Sequence, residues 1–201
     1  LYTAVQRLLC HSLIPQQCYS APLHHSLYCL PYCMKQKLLI SAIALIATML
    51  WVGIPGKALK MPETPYGIVS LELAWNTDRA VQVVDTWQQH HLATVAINNV
   101  YTDFAFIIAY STFLFLSVRR VTQQHRGMVK TMGVWLGRSA LLAGACDLGE
   151  NLLMLPMLYG HIRNSFAAGV GIFATVKFEL IILVLLFILA AFILDRLKKH
   201  H

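Results

Sequence analysis

Charge is scarce in this chain. Only 12% of its residues are charged while 57% are apolar, whereas a soluble domain carries roughly a quarter charged residues. With a mean hydropathy of +0.59, that shortage excludes an ordinary soluble domain and assigns the chain to the membrane class. Acids are scarcer than bases, nine Asp and Glu against 16 Lys and Arg, for a formal charge of +7. The excess does not read as a nucleic-acid interface, because the basic residues flank apolar segments instead of lining a groove or alternating with aromatics. Histidine is missing from the apolar segments: His90, His91, His125 and His161 all fall between them. That argues against haem ligation and intramembrane zinc hydrolysis, and no metal is expected. Cys146 is the only cysteine inside an apolar segment, so a paired-thiol relay has no support. Neither a glycine-rich phosphate loop nor a G-x-S-x-G nucleophile is present, and no cofactor is expected.

The first 33 residues differ from the rest. They hold Cys10, Cys18, Cys29 and Cys33 and carry no amphipathic period. Cys29 and Cys33 form C-x₃-C, which misses the C-x₂-C spacing of redox and zinc sites. At Met34 the character changes to a basic start, "MKQK", followed by an apolar run. Residues 1–33 are therefore expected to be a non-native or disordered leader, with Met34 the native start and 34–201 a single domain. The alternative, a cleaved signal peptide over 38–54, suffers from a poor cleavage site at "GKALK", where Lys57 separates Gly56 from Ala58.

Four apolar segments are long enough to span a bilayer: about 38–54, 100–118, 132–158 and 166–194. A transmembrane helix needs ~20 residues, so the last two should tilt or extend beyond the hydrocarbon. Lys35, Lys37, Arg119, Arg120, Arg126, Lys130, Arg196, Lys198 and Lys199 fall on one side; Lys57, Lys60, Arg79 and Arg163 fall on the other. The positive-inside rule then puts both termini in the cytoplasm and the long loop 56–99 outside. Within that loop Ala80, Val81, Val84 and Trp87 recur at helical spacing. Asn76 or Thr77 is a candidate cap and Asp78 lies near the positive end. The expectation is a short amphipathic helix that lies on the outer surface or covers the bundle. As a lid over a site between the spans it would make Glu72 an inward-pointing carboxylate, a direction the sequence does not fix.

The third span raises the functional question. From Val134 to Leu158 its charged residues are Arg138, Asp147 and Glu150, with Asn151 beside them. Gly133, Gly137, Ala140, Gly144, Asp147 and Asn151 follow spacings of four and three, so they share one helix face. Small residues let a second helix approach closely, and this contact face turns polar toward its far end. In the second span Asn99, Asp103, Phe106, Tyr110, Phe113 and Ser117 repeat the spacing. Counted from the outer ends, Asp147 and Lys177 come to equal depth on two spans joined by the short "YGHIRNS" loop. A Lys177–Asp147 or Lys177–Glu150 ion pair is thus available. Three unpaired charges would oppose insertion by roughly 8–10 kcal/mol, so Asp147, Glu150, Asn151 and Lys177 are expected to face the interior as one cluster. Glu179, about 200° from Lys177 at ~100° per residue, points elsewhere. Asp103, Tyr110 and Glu72 are candidates to stand behind this cluster or on its outer face.

"IVSLELAW" with Trp87, "YTDFAFIIAYS", "CDLGENLLML" and "VKFELI" resemble a group of small bacterial integral membrane proteins of unknown function, over about residues 66–190. The resemblance implies a bacterial inner membrane and one common pattern for Asp103, Asp147, Glu150, Asn151 and Lys177. It implies no reaction or ligand. The fold expected is all-α, a four-helix transmembrane bundle with a short amphipathic helical segment in the first outer loop. The function expected is a structural, small-ligand or proton-handling membrane module. The alternative is an integral membrane enzyme acting on a lipid, with Asp147 or Glu150 as acid or base. The partner expected is the lipid bilayer and not nucleic acid, with a membrane-protein partner or a second copy left open.

Overall fold

Long apolar runs leave the backbone one way to satisfy its polar groups without water, which is to hydrogen-bond within each segment as helix. The computed structural model describes the backbone of residues 26–123 and 125–199, with side chains from Met34 onward except those of Asp195, Lys198 and Lys199. The helices are α1 (Ser26–Gly56), α2 (Val69–Glu72), α3 (Thr77–Gln89), α4 (Ala93–Thr122), α5 (Met128–Leu158) and α6 (Asn164–Lys199), with a 3₁₀ turn at Lys57–Leu59. No strand occurs among the described residues, and the fold is an all-α bundle. Four helices are long and apolar enough to cross a membrane, over Met34–Leu59, Ala93–Thr122, Met128–Leu158 and Asn164–Leu194.

The chain divides into two units, residues 1–36 and Lys37–His201, and the arrangement below is that of the second. Helix α1 starts at Ser26, ahead of the composition change at Met34; residues 1–25 lie outside the described residues. The loop expected over 56–99 is shorter, because α4 already begins at Ala93. Asn99, at the edge of that loop and on the stripe shared with Asp103, is buried and its Nδ2 donates to the Val52 carbonyl at 2.8 Å. That bond ties α1 to α4.

α5 is the central helix, packed along most of its length against both α4 and α6, which touch each other much less. The α4–α5 seam is built on small residues. Gly133 faces Thr122 so closely that any side chain there would overlap it, Gly137 faces Phe115 and Val118, and Gly144 faces Ser111. The α5–α6 seam has the same device in Gly149 against Phe173 and Gly169 against Leu153. α1 stands apart: of its large apolar side chains Leu39, Ile40, Ile43, Ile46, Met49, Leu50, Trp51 and Ile54 are exposed, as lipid-facing residues are.

The segment between α1 and α4 caps one end of the bundle. Asn76 caps α3, its side chain accepting from Arg79 N at 2.9 Å, and Ala80, Val83, Val84 and Trp87 form the buried face. These four pack with Leu59, Leu71, Met154, Met157 and Val170 into one apolar core. Trp87 is fully buried and its Nε1 donates to the Leu59 carbonyl at 3.1 Å. The amphipathic helix therefore covers the bundle. Short α2 goes deeper. Trp75, just after it, sits at φ 62°, a conformation that disfavours a bulky residue. Its ring lies where a Cβ on Gly171 would come within 2.7 Å. Gly171 is about 10 Å down α6 at ~1.5 Å per residue, so the "outer" segment re-enters the bundle.

Candidate functional site

Three elements place the charges. α5 supplies Asp147 and Glu150, one turn apart; α6 supplies Lys177; and α2, held down by Leu71 and the Trp75 ring, supplies Glu72. Lys177 Nζ lies 2.8 Å from Glu150 Oε2, 3.0 Å from Asp147 Oδ1 and 3.3 Å from Glu72 Oε2. The residues are 5%, 0%, 4% and 7% exposed in that order, so water does not screen them. The Glu150 contact is an ion pair off the angle of a good hydrogen bond, and Glu150 Oε1 accepts from no donor among the described residues.

A second pair lies beside this group, toward α4. Asn151 Nδ2 donates to Asp103 Oδ2 at 2.7 Å, with Asn151 buried and Asp103 half-buried. The Tyr110 hydroxyl is buried without a hydrogen bond of good geometry, and its ring packs on Phe106 at 5.2 Å between centroids. Glu179 is exposed on the far face of α6.

The sequence fixes no position for one member of the cluster: Glu72, a candidate for the outer face or for a lid, touches Lys177 directly. The available signal was its setting in "IVSLELAW", where it is the only charge in an apolar run, the pattern of a buried segment and not of a loop.

The electrostatics are unbalanced. One ammonium meets three carboxyls, so full ionisation would leave two uncompensated negative charges in a buried site, an arrangement that costs several kcal/mol per ion. Carboxyls this close resist simultaneous ionisation, and protonation relieves them. Glu72, outside the spanning segments, shows the consequence. Burial pushes its carboxyl above the ordinary carboxylate range, Lys177 opposes that, and Asp147 adds to it. Of the three carboxyls it also has the longest contact with Lys177, so it is the one best placed to carry a proton. Among the described residues no group of three or more His, Cys, Asp or Glu has an arrangement that could hold a metal ion.

No protein-family model, curated protein or solved structure matches this chain. The four long apolar helices fit a multi-pass membrane protein.

Proposed function

We propose that the protein handles protons within the membrane, with the Lys177 cluster as the proton-holding site and Glu72 as the carboxyl that exchanges with the capped side. The observation that carries this reading is the three-to-one ratio of carboxyls to ammonium within 3.3 Å in a closed interior. A clasp that served only to fix helix register would be satisfied by one acid for one base. Here the surplus must be met by protons. The third carboxyl also comes from α2, a four-residue helix on a connecting segment and not from a span. A lipid-acting enzyme using Asp147 or Glu150 as acid or base would need a substrate path to those groups, and Glu150 is wholly enclosed.

The surrounding assignments follow from charge. Arg119, Arg120, Arg126 and Lys130 gather at the uncapped end, which supports a cytoplasmic position for that end, and with it for both termini, in a bacterial inner membrane.

The test is proton flux. The protein is reconstituted in vesicles containing a pH-sensitive dye, and a potassium diffusion potential is applied. The reading expects acidification above that of empty vesicles, lost in Glu72→Gln. Flux no greater than that of empty vesicles, from folded protein, would reduce the cluster to a clasp.

A further inference from the structure

Glu179 and Arg138 lie inside the spans without a part in this cluster, and Arg138 is the basic one. Arg138 lies on α5, on the face turned away from the bundle, and is exposed. Asp147 and Arg138 are nine positions apart, which at ~100° per residue puts them on opposite sides of the helix. Among the described residues no ion pair reaches Arg138. Its guanidinium lies 5.2 Å from the centroid of the Trp135 ring, one turn nearer the uncapped end. A lone lipid-facing arginine needs a counter-charge, and its depth decides what can supply one.

Depth follows from the aromatic and helix-packing contacts. At the capped end Tyr101 and Tyr159 are both exposed and their hydroxyls are 3.4 Å apart. They mark one interface, because tyrosines favour the headgroup level. From Tyr159 to Arg138 along α5, and from Tyr101 to Arg120 along α4, the rise is roughly 30 Å at ~1.5 Å per residue. That is the thickness of the hydrocarbon core. Gly137, packed against Phe115 and Val118, fixes Arg138 level with the end of α4 where Arg119 and Arg120 lie. Side chains on α5 lean toward its N-terminus, the uncapped end, so the guanidinium reaches the headgroup layer while its stem stays among the lipid chains.

We propose that Arg138, with the Trp135 ring, forms a binding site for the phosphate of an anionic phospholipid in the leaflet at the uncapped end. The guanidinium donates to the phosphodiester oxygens, and the indole, an interfacial side chain, packs against the glycerol and upper chain. The arginines at the end of α4 add to the local positive field, so a headgroup with net negative charge is preferred over one whose phosphate is balanced by a quaternary ammonium.

Native mass spectrometry of the full chain, delipidated and offered equal phosphatidylglycerol and phosphatidylcholine, tests this. Phosphatidylglycerol is expected to be retained preferentially, and Arg138→Gln should cut the preference about fivefold. Arg138→Lys should keep part of it, and Trp135→Leu should weaken it less than Arg138→Gln does. Thermal melting in the same detergent identifies any variant that fails to fold. Arg126→Gln, which alters a basic residue in the α4–α5 connection, should leave the preference nearly unchanged. An equal fall with Arg126→Gln would make selectivity a property of the whole basic end, and undiminished preference in Arg138→Gln would remove the site altogether. Displacement of the lipid by inorganic phosphate would assign the pocket to free phosphate and overturn the lipid reading. Loss of self-association in Arg138→Gln without any lipid preference in the wild type would assign Arg138 to a protein contact.

Discussion

The two flanks of α5 solve the same problem in opposite ways. Toward α4 the seam is closed by absence of side chain: Gly133, Gly137 and Gly144 let Thr122, Phe115 and Ser111 come close. Contact at those positions is made by dispersion and tight fit. Toward α6 the middle of the seam is held by charge, with Lys177 drawn to Asp147 and Glu150 and a third carboxyl brought in by α2. A seam of small residues has one state. A seam with more carboxyls than ammonium groups has several, distinguished by where the protons sit. Small-residue packing and buried charge thus lie on two faces of a single helix.

Substitutions break this contrast unequally. The largest effect is expected from Lys177→Met, which leaves three buried carboxyls without a counter-ion. Removing one partner of a buried pair costs about 3–5 kcal/mol, read as a lowered melting temperature and yield in detergent. Adding Asp147→Leu and Glu150→Gln to it should restore most of that stability, because the uncompensated charges go with their partner. On the other seam Gly144→Leu forces a side chain against Ser111. Overpacking of this kind costs about 1–3 kcal/mol, and no charged substitution should rescue it. Asn151→Leu takes the amide donor from Asp103. A lost side-chain hydrogen bond costs about 0.5–1.5 kcal/mol, and more where the partner is left buried. The smallest effect belongs to the cap. Trp87→Phe keeps most of the buried ring but loses the bond to the Leu59 carbonyl, for about 0.5–1.5 kcal/mol by melting.

The sequence is informative about the two seams to different degrees. Gly133, Gly137, Ala140 and Gly144 recur at helical spacing, and a period is local information, readable without any partner. The equal depth of Asp147 and Lys177 was also accessible, because a short connection forces α5 and α6 antiparallel and rise per residue does the rest. Glu72 was not. Its place depends on how a 36-residue segment (57–92) folds back, which rests on long-range contacts such as Trp75 on Gly171 and Trp87 on Leu59 that no local period encodes. The helices extend past their apolar spans for a related reason. Asn99 donates to the carbonyl of Val52, and that partner makes an amide acceptable near the start of α4. The tie of Asp103 to Asn151 lies between these cases: each residue falls on its own recognisable stripe, but nothing in either stripe fixes their register.

The central claim is that the cluster holds a proton at neutral pH, and infrared difference spectroscopy tests it most directly. A protonated, buried carboxyl has a carbonyl stretch well separated from that of a carboxylate. Because burial raises Glu72 above its ordinary value of 4.5, its proton should persist as pH rises past that value and leave only at higher pH. The account predicts a protonated-carboxyl band at neutral pH that titrates away on alkalinisation and is lost in Glu72→Gln. A wild-type spectrum with no such band at neutral pH, or a band that Glu72→Gln, Asp147→Asn and Glu150→Gln all leave unchanged, would contradict it.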